Sequence, residues 1–279
     1  MFDTLHPEVR DAIERALAED IGTGDITSEL TVPEDLQARG TFIAKQSLVL
    51  AGIELLPLIY DMRGGAQVRL IASSGTKLKD SEAIATVAGR ARTLLECERV
   101  TLNFLQRLSG IATFARKFVD AVAGTNVRIL DTRKTTPGLR RLEKAAARAG
   151  GAINHRQGLF DAVLIKNNHI TAAGGVRQAL EKTRGFSGPI EIEIRTRAEL
   201  DEALALSAKH LLLDNLSPAE AAEWVRQIAG RATVELSGGI TLETIRAYAD
   251  ARPDFISCGA ITHSATAVDI SFNLGSDAA

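Results

Sequence analysis

The sequence predicts an α/β protein in which a closed or nearly closed α/β barrel follows an N-terminal α+β domain. Six apolar runs rich in β-branched residues recur after residue 126, helical segments separate them, and polar or glycine-rich residues follow each run. Strands that alternate with helices in this way form parallel βαβ units, and six with short connections favour a barrel. An open, doubly wound sheet is the alternative architecture.

The first 108 residues carry the signals of the smaller α+β domain. A helical segment over His6–Ala18 precedes a glycine-containing turn over Ile21–Asp25. This turn lacks the third glycine and the preceding apolar strand of a dinucleotide-binding fingerprint, so we expect a plain turn. A long amphipathic helix is expected from Thr93 to about Ala123, with Gly110 as a candidate break. Clusters of Gly, Ser and Asp separate three expected strands, Ala38–Lys45, Gln67–Ala72 and Ala83–Ala88.

The barrel strands and the starts of two intervening helices can be placed from local patterns. Thr196 and Glu199 form a capping-box pattern, and Ser217 precedes a proline at a first helical position. The six expected strands are Val127–Leu130, Ala162–Ile165, Pro189–Ile194, His210–Leu213, Thr233–Leu236 and Asp254–Ser257.

Composition excludes several classes of protein. The chain has 279 residues, a net charge of -2 and a pI near 6.2, which argues against a general nucleic-acid binder. No run approaches the roughly 20 apolar residues of a membrane span, so no membrane partner is expected. Cys97 and Cys258 lie far apart and form no disulfide framework or metal motif, and the N-terminus lacks an apolar signal core. These features predict a cytoplasmic protein.

Positive charge is concentrated in one segment of this acidic chain. Residues 131–170 contain eight Lys or Arg against three Asp or Glu. A local positive field of this kind suits an anionic small molecule better than a nucleic acid.

Charged, polar or glycine-rich residues lie at or near the carboxyl ends of all six predicted strands. In a parallel barrel these carboxyl ends converge on one mouth, where catalytic sites lie. Each end alone is weak evidence, but six that alternate between cations, acids and glycine loops predict a functional mouth. The chain order is Asp131 to Lys134, Lys166 to His169, Glu191 and Glu193, Asp214 and Asn215, Ser237 to Gly239, and Cys258 to Ala260.

The third predicted strand has charges on one face. Its isoleucines alternate with Glu191, Glu193 and Arg195, so the charges share one side. We expect this side to face the barrel interior, because parallel sheets are covered on both faces. An exposed edge strand with a solvated face is the alternative.

Glycine loops after the last two strands predict phosphate binding. Ser237, Gly238 and Gly239 precede a helical stretch, and Gly259 and Ala260 follow the next strand. Such loops expose backbone N–H groups, and this position in a barrel commonly holds phosphate. Cys258 has no base assigned to it and is expected to pack in the core.

Several charged residues admit two interpretations. His155 and Arg156 lie between two charged strand ends and are candidate ligands, whereas His169 fits either a ligand or a structural histidine. A surface ion pair with Glu96 is the simplest expectation for Arg99. The stripe of Arg140, Lys144 and Arg148 predicts a solvated helix face whose first turn could line the mouth.

Long motifs in this chain strongly resemble the quinolinate phosphoribosyltransferase family. The resemblance runs nearly end to end, with small departures at Asn167, Ala145 and Ala152. It rests on residues 130–170 and on EDIGTGDIT (19–27), ERVTLNFLQRLSGIAT (98–113), LLLDNLSP (211–218), ELSGGI (235–240) and FISCGAITHSATAVDIS (255–271).

The resemblance implies a fold and an activity. The fold is an incomplete, open α/β barrel over residues 109–265 with an N-terminal sandwich domain over 1–108, to which the tail of about 266–279 returns. The reaction joins quinolinate to phosphoribosyl pyrophosphate and yields nicotinate mononucleotide, pyrophosphate and CO2, a step of NAD biosynthesis. A homodimer with shared active sites and a Mg²⁺ cofactor are also implied.

The resemblance assigns roles to individual residues. Lys134 would face the pyrophosphate, and Glu193 and Asp214 would meet the ribose hydroxyls directly or through Mg²⁺, with Glu191 the less certain acid. Arg99 would reach the quinolinate pocket from the neighbouring subunit. The other quinolinate ligands would be Arg133, His155, Arg156 and Lys166, and the 5′-phosphate would be held by Ser237, Gly238, Gly239, Gly259 and Ala260.

Two other functions remain open from sequence. A related phosphoribosyltransferase for another aromatic acid, such as the molybdenum-operon paralogue, shares much of the pattern. A phosphate-ligand binding protein without turnover is the more distant alternative.

Overall fold

The computed structural model describes residues 2–276, which group into two compact units. The first unit contains residues 2–116, 135–151 and 261–276, and the second contains 117–134 and 152–260. Segments of the two units therefore alternate along the chain. The predicted domain boundary near residue 108 stays a prediction, and residues 277–279 of the predicted tail lie outside the described residues.

The helices and strands that the sequence pattern predicts are present, together with shorter elements that it did not predict. The helices are α1 (Pro7–Ile21), α2 (Ile26–Thr31), α3 (Leu55–Asp61), α4 (Ala91–Ala121), α5 (Arg140–Ala149), α6 (Asn167–Ala173), α7 (Val176–Thr183), α8 (Arg197–Ala205), α9 (Pro218–Ile228), α10 (Ile245–Ala249) and α11 (Ala260–His263). The strands are β1 (Gln37–Ala44), β2 (Leu48–Val49), β3 (Gln67–Leu70), β4 (Lys77–Leu78), β5 (Ala83–Arg90), β6 (Arg128–Leu130), β7 (Val163–Ile165), β8 (Ile190–Ile194), β9 (His210–Asp214), β10 (Thr233–Ser237), β11 (Phe255–Ser257) and β12 (Ile270–Ser276). Within residues 2–276, none of the helices has the length and apolar character needed to cross a bilayer.

The second unit is built on one parallel sheet of six strands in the order β6-β11-β10-β9-β8-β7. This is the strand order of a barrel that is not closed, since β6 and β7 lie at opposite edges. The predicted incomplete α/β barrel is confirmed. The edge of β6 is partly covered by Ile153, whose N–H donates to Ile129 O at 2.8 Å and whose carbonyl accepts from Asp131 N at 3.1 Å.

The first unit contains an antiparallel sheet of four strands in the order β12-β1-β5-β3. The last strand, β12, pairs with β1 along its length, from Ala38 opposite Ser276 to Ala44 opposite Ile270. Phe272 lies against Phe42, with ring centroids 4.7 Å apart. A Cβ at Gly40 would lie 2.0 Å from the Phe272 ring, so glycine makes room for this aromatic side chain.

The long helix α4 is continuous through Gly110, so the predicted break is wrong. A Cβ at Gly110 would lie 2.2 Å from the backbone oxygen of Thr266. Glycine at this position therefore admits the segment that leads to β12, and it does not interrupt the helix. Sequence alone does not distinguish a glycine that breaks a helix from one that admits a close neighbour.

A buried carboxylate organises the segment before α5. Glu143 is 0% exposed, and its oxygens accept hydrogen bonds from Thr136 N at 3.0 Å and Thr136 Oγ1 at 2.8 Å. Arg107 on α4 pairs with the same carboxylate at 2.8 Å and donates to the carbonyl oxygens of Thr262 and Ala265, both at 2.7 Å. The predicted solvated stripe on α5 is wrong at Lys144, which is 2% exposed.

Candidate active site

The carboxyl ends of the six parallel strands collect most of the predicted site residues along one edge of the sheet. Arg133 and Lys134 follow β6, and Lys166 follows β7. Glu191 and Glu193 lie within β8, and Asp214 is the last residue of β9. The loops after β10 and β11 supply the others: Ser237, Gly238, Gly239, Gly259 and Ala260.

Asp131 anchors the loop that carries His155 and Arg156. It is 0% exposed, and its carboxylate accepts from Asn154 Nδ2 at 2.6 Å and from the His155 backbone N–H at 2.8 Å. Arg156 donates to Ala162 O at 3.1 Å. Burial and, second to it, repulsion by the charge of Arg133 lower the pKa of Arg156. This concentration of cations suits an anionic ligand.

His155 is held between two glutamates. Its Nε2 lies 3.2 Å from Glu191 Oε2 and 3.4 Å from Glu235 Oε2, and its side chain is 16% exposed. Burial alone would lower the pKa of His155, but the hydrogen bonds and charges of Glu191 and Glu235 outweigh it and raise the pKa to about 9. Burial also raises the pKa of Glu191, and the charge of Glu235 adds to this effect against the opposing influence of His155.

The three side chains of this cluster could in principle hold a divalent cation, since their ligand atoms lie within 4.8 Å of one another. The two contacts of His155 Nε2 with carboxylate oxygens favour another arrangement. With a pKa of about 9, His155 carries a proton on Nε2, the atom that faces both carboxylates. A metal ion on Nε2 would displace that proton, so the geometry favours a hydrogen-bonded cluster.

Glu235 is the member of the cluster that sequence reasoning missed. It is 3% exposed, and its Oε1 atom has no hydrogen-bond partner among the residues that the structure describes. The sequence did contain a pattern that could have identified Glu235. Thr233, Glu235 and Ser237 alternate with apolar residues, as the acids of β8 do. Register pairs Glu235 and Glu193 with the same residue, Leu212, which places both acids on one face of the sheet.

The cluster predicts a stability that depends on pH. A folded-state pKa of about 9 for His155, against an ordinary 6.5, means that its contribution is complete below about pH 6.5 and is lost as pH rises toward 9. The raised pKa of Glu191 acts in the same direction. Between pH 6 and 9.5, the free energy of unfolding of the wild type should fall by on the order of 2–3 kcal/mol more than that of His155→Gln. Urea unfolding across this range measures it, with His263→Gln as control, and parallel wild-type and His155→Gln curves would contradict it.

Glu193 and Asp214 have the character expected of magnesium ligands. Glu193 is 8% exposed, accepts from Asn167 N at 3.3 Å and lies 3.9 Å from Lys166 Nζ. Asp214 is half-buried. Leu212 of β9 is the register partner of Glu193, and Asp214 lies two residues after Leu212, so Asp214 and Glu193 share one face of the sheet. Carboxylate oxygens are the ligands that Mg²⁺ prefers, and Mg²⁺ commonly takes one or two of them beside substrate phosphates. The donor set fits this ion.

The end of β9 and the glycine loop after β10 contact each other. Ser237 is the register partner of Asp214, and its carbonyl accepts from Asn215 N at 2.9 Å. Gly238 and Gly239 have positive φ angles of 98° and 60°, which favour glycine. Directly after the neighbouring strand β11, Cys258 is 3% exposed and burial raises its pKa to about 12, in keeping with the expected packing role.

Other candidate residues lie elsewhere or have structural roles. His169 Nδ1 accepts from Lys166 N at 2.9 Å, so this histidine caps the start of α6. Arg99 lies on α4, in the first unit, and is exposed. The expected Glu96–Arg99 pair is wrong, because Glu96 pairs with Arg63 at 2.8 Å. Arg195 is also outside the face expected for it, since it lies beyond β8, exposed and 3.6 Å from Glu199.

An open α/β barrel whose strand ends carry cations, acids and a glycine loop defines an enzyme of the α/β-barrel class. Residues 25–109 match the N-terminal domain model of quinolinate phosphoribosyl transferase, and residues 111–273 match its C-terminal domain model. The chain belongs to the quinolinate phosphoribosyltransferase family, and the resemblance seen in the sequence is confirmed.

Curated relatives and solved structures agree with this assignment. The chain is 40% identical to a probable nicotinate-nucleotide pyrophosphorylase [carboxylating] of Bacillus subtilis, over 96% of this chain and 94% of that protein. It is 40% identical to the nicotinate-nucleotide pyrophosphorylase [carboxylating] of Mycobacterium leprae, over 98% of this chain and 100% of that protein. The structure of the Francisella tularensis nicotinate-nucleotide pyrophosphorylase superposes with a TM-score of 0.91 at 37% identity, covering 96% of each chain.

Proposed function

We propose that this protein is a quinolinate phosphoribosyltransferase which forms nicotinate mononucleotide, pyrophosphate and CO2 from quinolinate and phosphoribosyl pyrophosphate. The observation that carries the proposal is the shared sheet edge, where Arg133, Lys166, Glu193 and Asp214 accompany the Ser237–Gly239 loop. Both substrates are polyanions, and relatives that are 40% identical over nearly the whole chain carry the name of this activity.

The cations would bind and orient quinolinate. Arg133, Arg156 and Lys166 would face its two carboxylates through charge-assisted hydrogen bonds, which guanidinium groups make in bidentate fashion. His155, the fourth candidate ligand, contacts Glu191 and Glu235 through Nε2 and would border the pocket. Arg99, exposed on α4, would complete the pocket of a neighbouring subunit in a homodimer. The absence of an ion pair at Arg99 among residues 2–276 is consistent with such a role.

The acids and glycine loops would bind phosphoribosyl pyrophosphate. Glu193 and Asp214 would meet the ribose hydroxyls and hold Mg²⁺, which when bound neutralises charge on the pyrophosphate. Lys134, exposed beyond β6, would face the same leaving group. The 5′-phosphate would occupy the loops formed by Ser237, Gly238, Gly239, Gly259 and Ala260, whose backbone N–H groups suit an anion.

The proposed reaction depends on position and electrostatics. The lone pair of the quinolinate nitrogen attacks C1 of the ribose, and the bond from C1 to the pyrophosphate oxygen breaks. Positive charge that develops on the ribose is stabilised by Glu193 and Asp214. The ribosylated ring nitrogen is cationic and accepts the electron pair left when the adjacent carboxylate departs as CO2. A proton then takes the place of that carboxylate on the ring.

Mass spectrometry of a reaction with quinolinate, phosphoribosyl pyrophosphate and Mg²⁺ tests the function. We expect nicotinate mononucleotide, and parallel reactions with nicotinate should give none. Product from nicotinate alone would assign the chain to another aromatic acid, and tight binding without any product would indicate a binding protein. We further propose a cytoplasmic location and small-molecule substrates, in keeping with the net charge of -2.

Arg133→Ala should weaken quinolinate binding by roughly 10- to 100-fold, because it removes a charge-assisted contact. Steady-state kinetics measure this effect as a raised KM for quinolinate. Arg226→Ala, which removes an exposed cation from α9, is the matched control and should leave KM unchanged. An unchanged KM and turnover in Arg133→Ala would reject the role.

A further inference from the structure

The residue that follows β9 has an unusual backbone conformation. Asn215 has a φ of 58°, in the left-handed region that residues with a side chain rarely adopt. Asparagine tolerates this region better than most residues, but the conformation still requires support from its surroundings. Asn215 is exposed, so burial of its side chain does not provide that support.

Hydrogen bonds hold Asn215 in place on two sides. Its backbone N–H donates to Ser237 O at 2.9 Å, and its side-chain Nδ2 donates to Asp214 Oδ2 at 2.6 Å. The orientation of the amide follows from the chemistry, because an ionised carboxylate only accepts hydrogen bonds.

The other side of the amide faces the glycine loop. A Cβ at Gly238 would lie 2.3 Å from Asn215 Oδ1 and 2.6 Å from its backbone N. Gly238 therefore packs directly on Asn215. The amide of Asn215 lies between the Asp214 carboxylate on one side and the Ser237–Gly239 loop on the other.

We infer that Asn215 is a positioning residue, which fixes the Asp214 carboxylate relative to the Ser237–Gly239 loop. This inference rests on the proposed function, in which Asp214 meets the hydroxyls of a phosphorylated ribose and the loop holds its 5′-phosphate. The two ends of one rigid sugar phosphate then need two protein groups at a fixed separation, and Asn215 contacts both.

Three variants separate the hydrogen bond from the backbone conformation. Asn215→Gly keeps the left-handed backbone and removes the amide. Asn215→Asp keeps the shape but replaces the donor with a second carboxylate beside Asp214. Ala229→Gly is the matched control, because Ala229 ends α9 with a φ of 50° and lies outside the proposed site.

We expect Asn215→Gly to lower kcat/KM for phosphoribosyl pyrophosphate by roughly 10- to 100-fold, with quinolinate binding within about twofold of wild type. Asn215→Asp should lose at least as much, and Ala229→Gly should keep wild-type kinetics. The inference is overturned if Asn215→Gly keeps the kcat/KM of Ala229→Gly, or if it weakens the binding of both substrates equally.

Failure of the proposed function would be recognised separately. A wild-type chain that forms no nicotinate mononucleotide would reject that function without deciding the role of Asn215. Calorimetry with phosphoribosyl pyrophosphate then decides it: binding by wild type but not by Asn215→Gly supports the inference, and equal binding rejects it.

Discussion

Replacing Glu143 with alanine is expected to lower the free energy of unfolding by about 3–5 kcal/mol. The carboxylate is 0% exposed and accepts hydrogen bonds from Arg107 and from two atoms of Thr136. Its removal leaves the Arg107 guanidinium, which is 30% exposed, without its opposite charge. For a chain of this size, the melting temperature should fall by roughly 6 °C or more.

Asp250→Ala provides the matched control for this prediction. Asp250 forms an ion pair with Arg246 in which the side chains are 60% and 58% exposed. Pairs of this kind contribute roughly 0–1 kcal/mol, so the melting temperature should change little. Thermal unfolding of both variants checks the comparison, and similar losses in the two would show that burial does not strengthen the Glu143 network.

Gly238→Ala is expected to lower kcat/KM by about 100-fold or more. The new Cβ would lie 2.6 Å from the Asn215 backbone nitrogen, so the backbone of the loop or of the β9 end must move. A displacement near 1 Å at a site that aligns two substrates costs about this much in rate. Initial rates with quinolinate, phosphoribosyl pyrophosphate and Mg²⁺ measure the loss.

The control for Gly238→Ala is Gly230→Ala. Gly230 also has a positive φ, 74°, but a Cβ there has no atom within 4 Å. Both variants carry the cost of a left-handed alanine, about 1–3 kcal/mol at most, and only Gly238→Ala adds the clash. Wild-type activity in a folded Gly238→Ala protein would show that the contact with Asn215 has no bearing on catalysis.

The regular part of the fold was predictable from sequence because its elements repeat one local signal. Each of the six strands of the barrel is a short apolar run, and the period-two pattern of β8 placed Glu191 and Glu193 on one face. The pairing of β12 with β1 has no such local signal, because residues 45–269 separate the two strands. It entered the prediction only through the family resemblance.

The parts of the site that escaped prediction depend on tertiary contacts. Glu235 resembles any polar residue in a strand until His155 is placed beside it by the anchor at Asp131. Lys144 fits a solvated stripe by spacing, yet it is buried. The left-handed backbone conformation of Asn215 could not be predicted from the sequence, since asparagine occurs in many kinds of turn. A local sequence pattern predicts which residues share one face of a helix or strand, but it does not predict which residues pack against that face.

The position of β12 bears on how the chain folds during its synthesis. The ribosome releases β1 long before β12, the partner on one of its edges, because residues 45–269 lie between the two strands. Until then that edge presents unpaired backbone groups and an uncovered Phe42, which are features that promote aggregation of nascent chains. Deleting β12 should therefore lower the yield of recoverable protein more than the loss of one short strand would suggest.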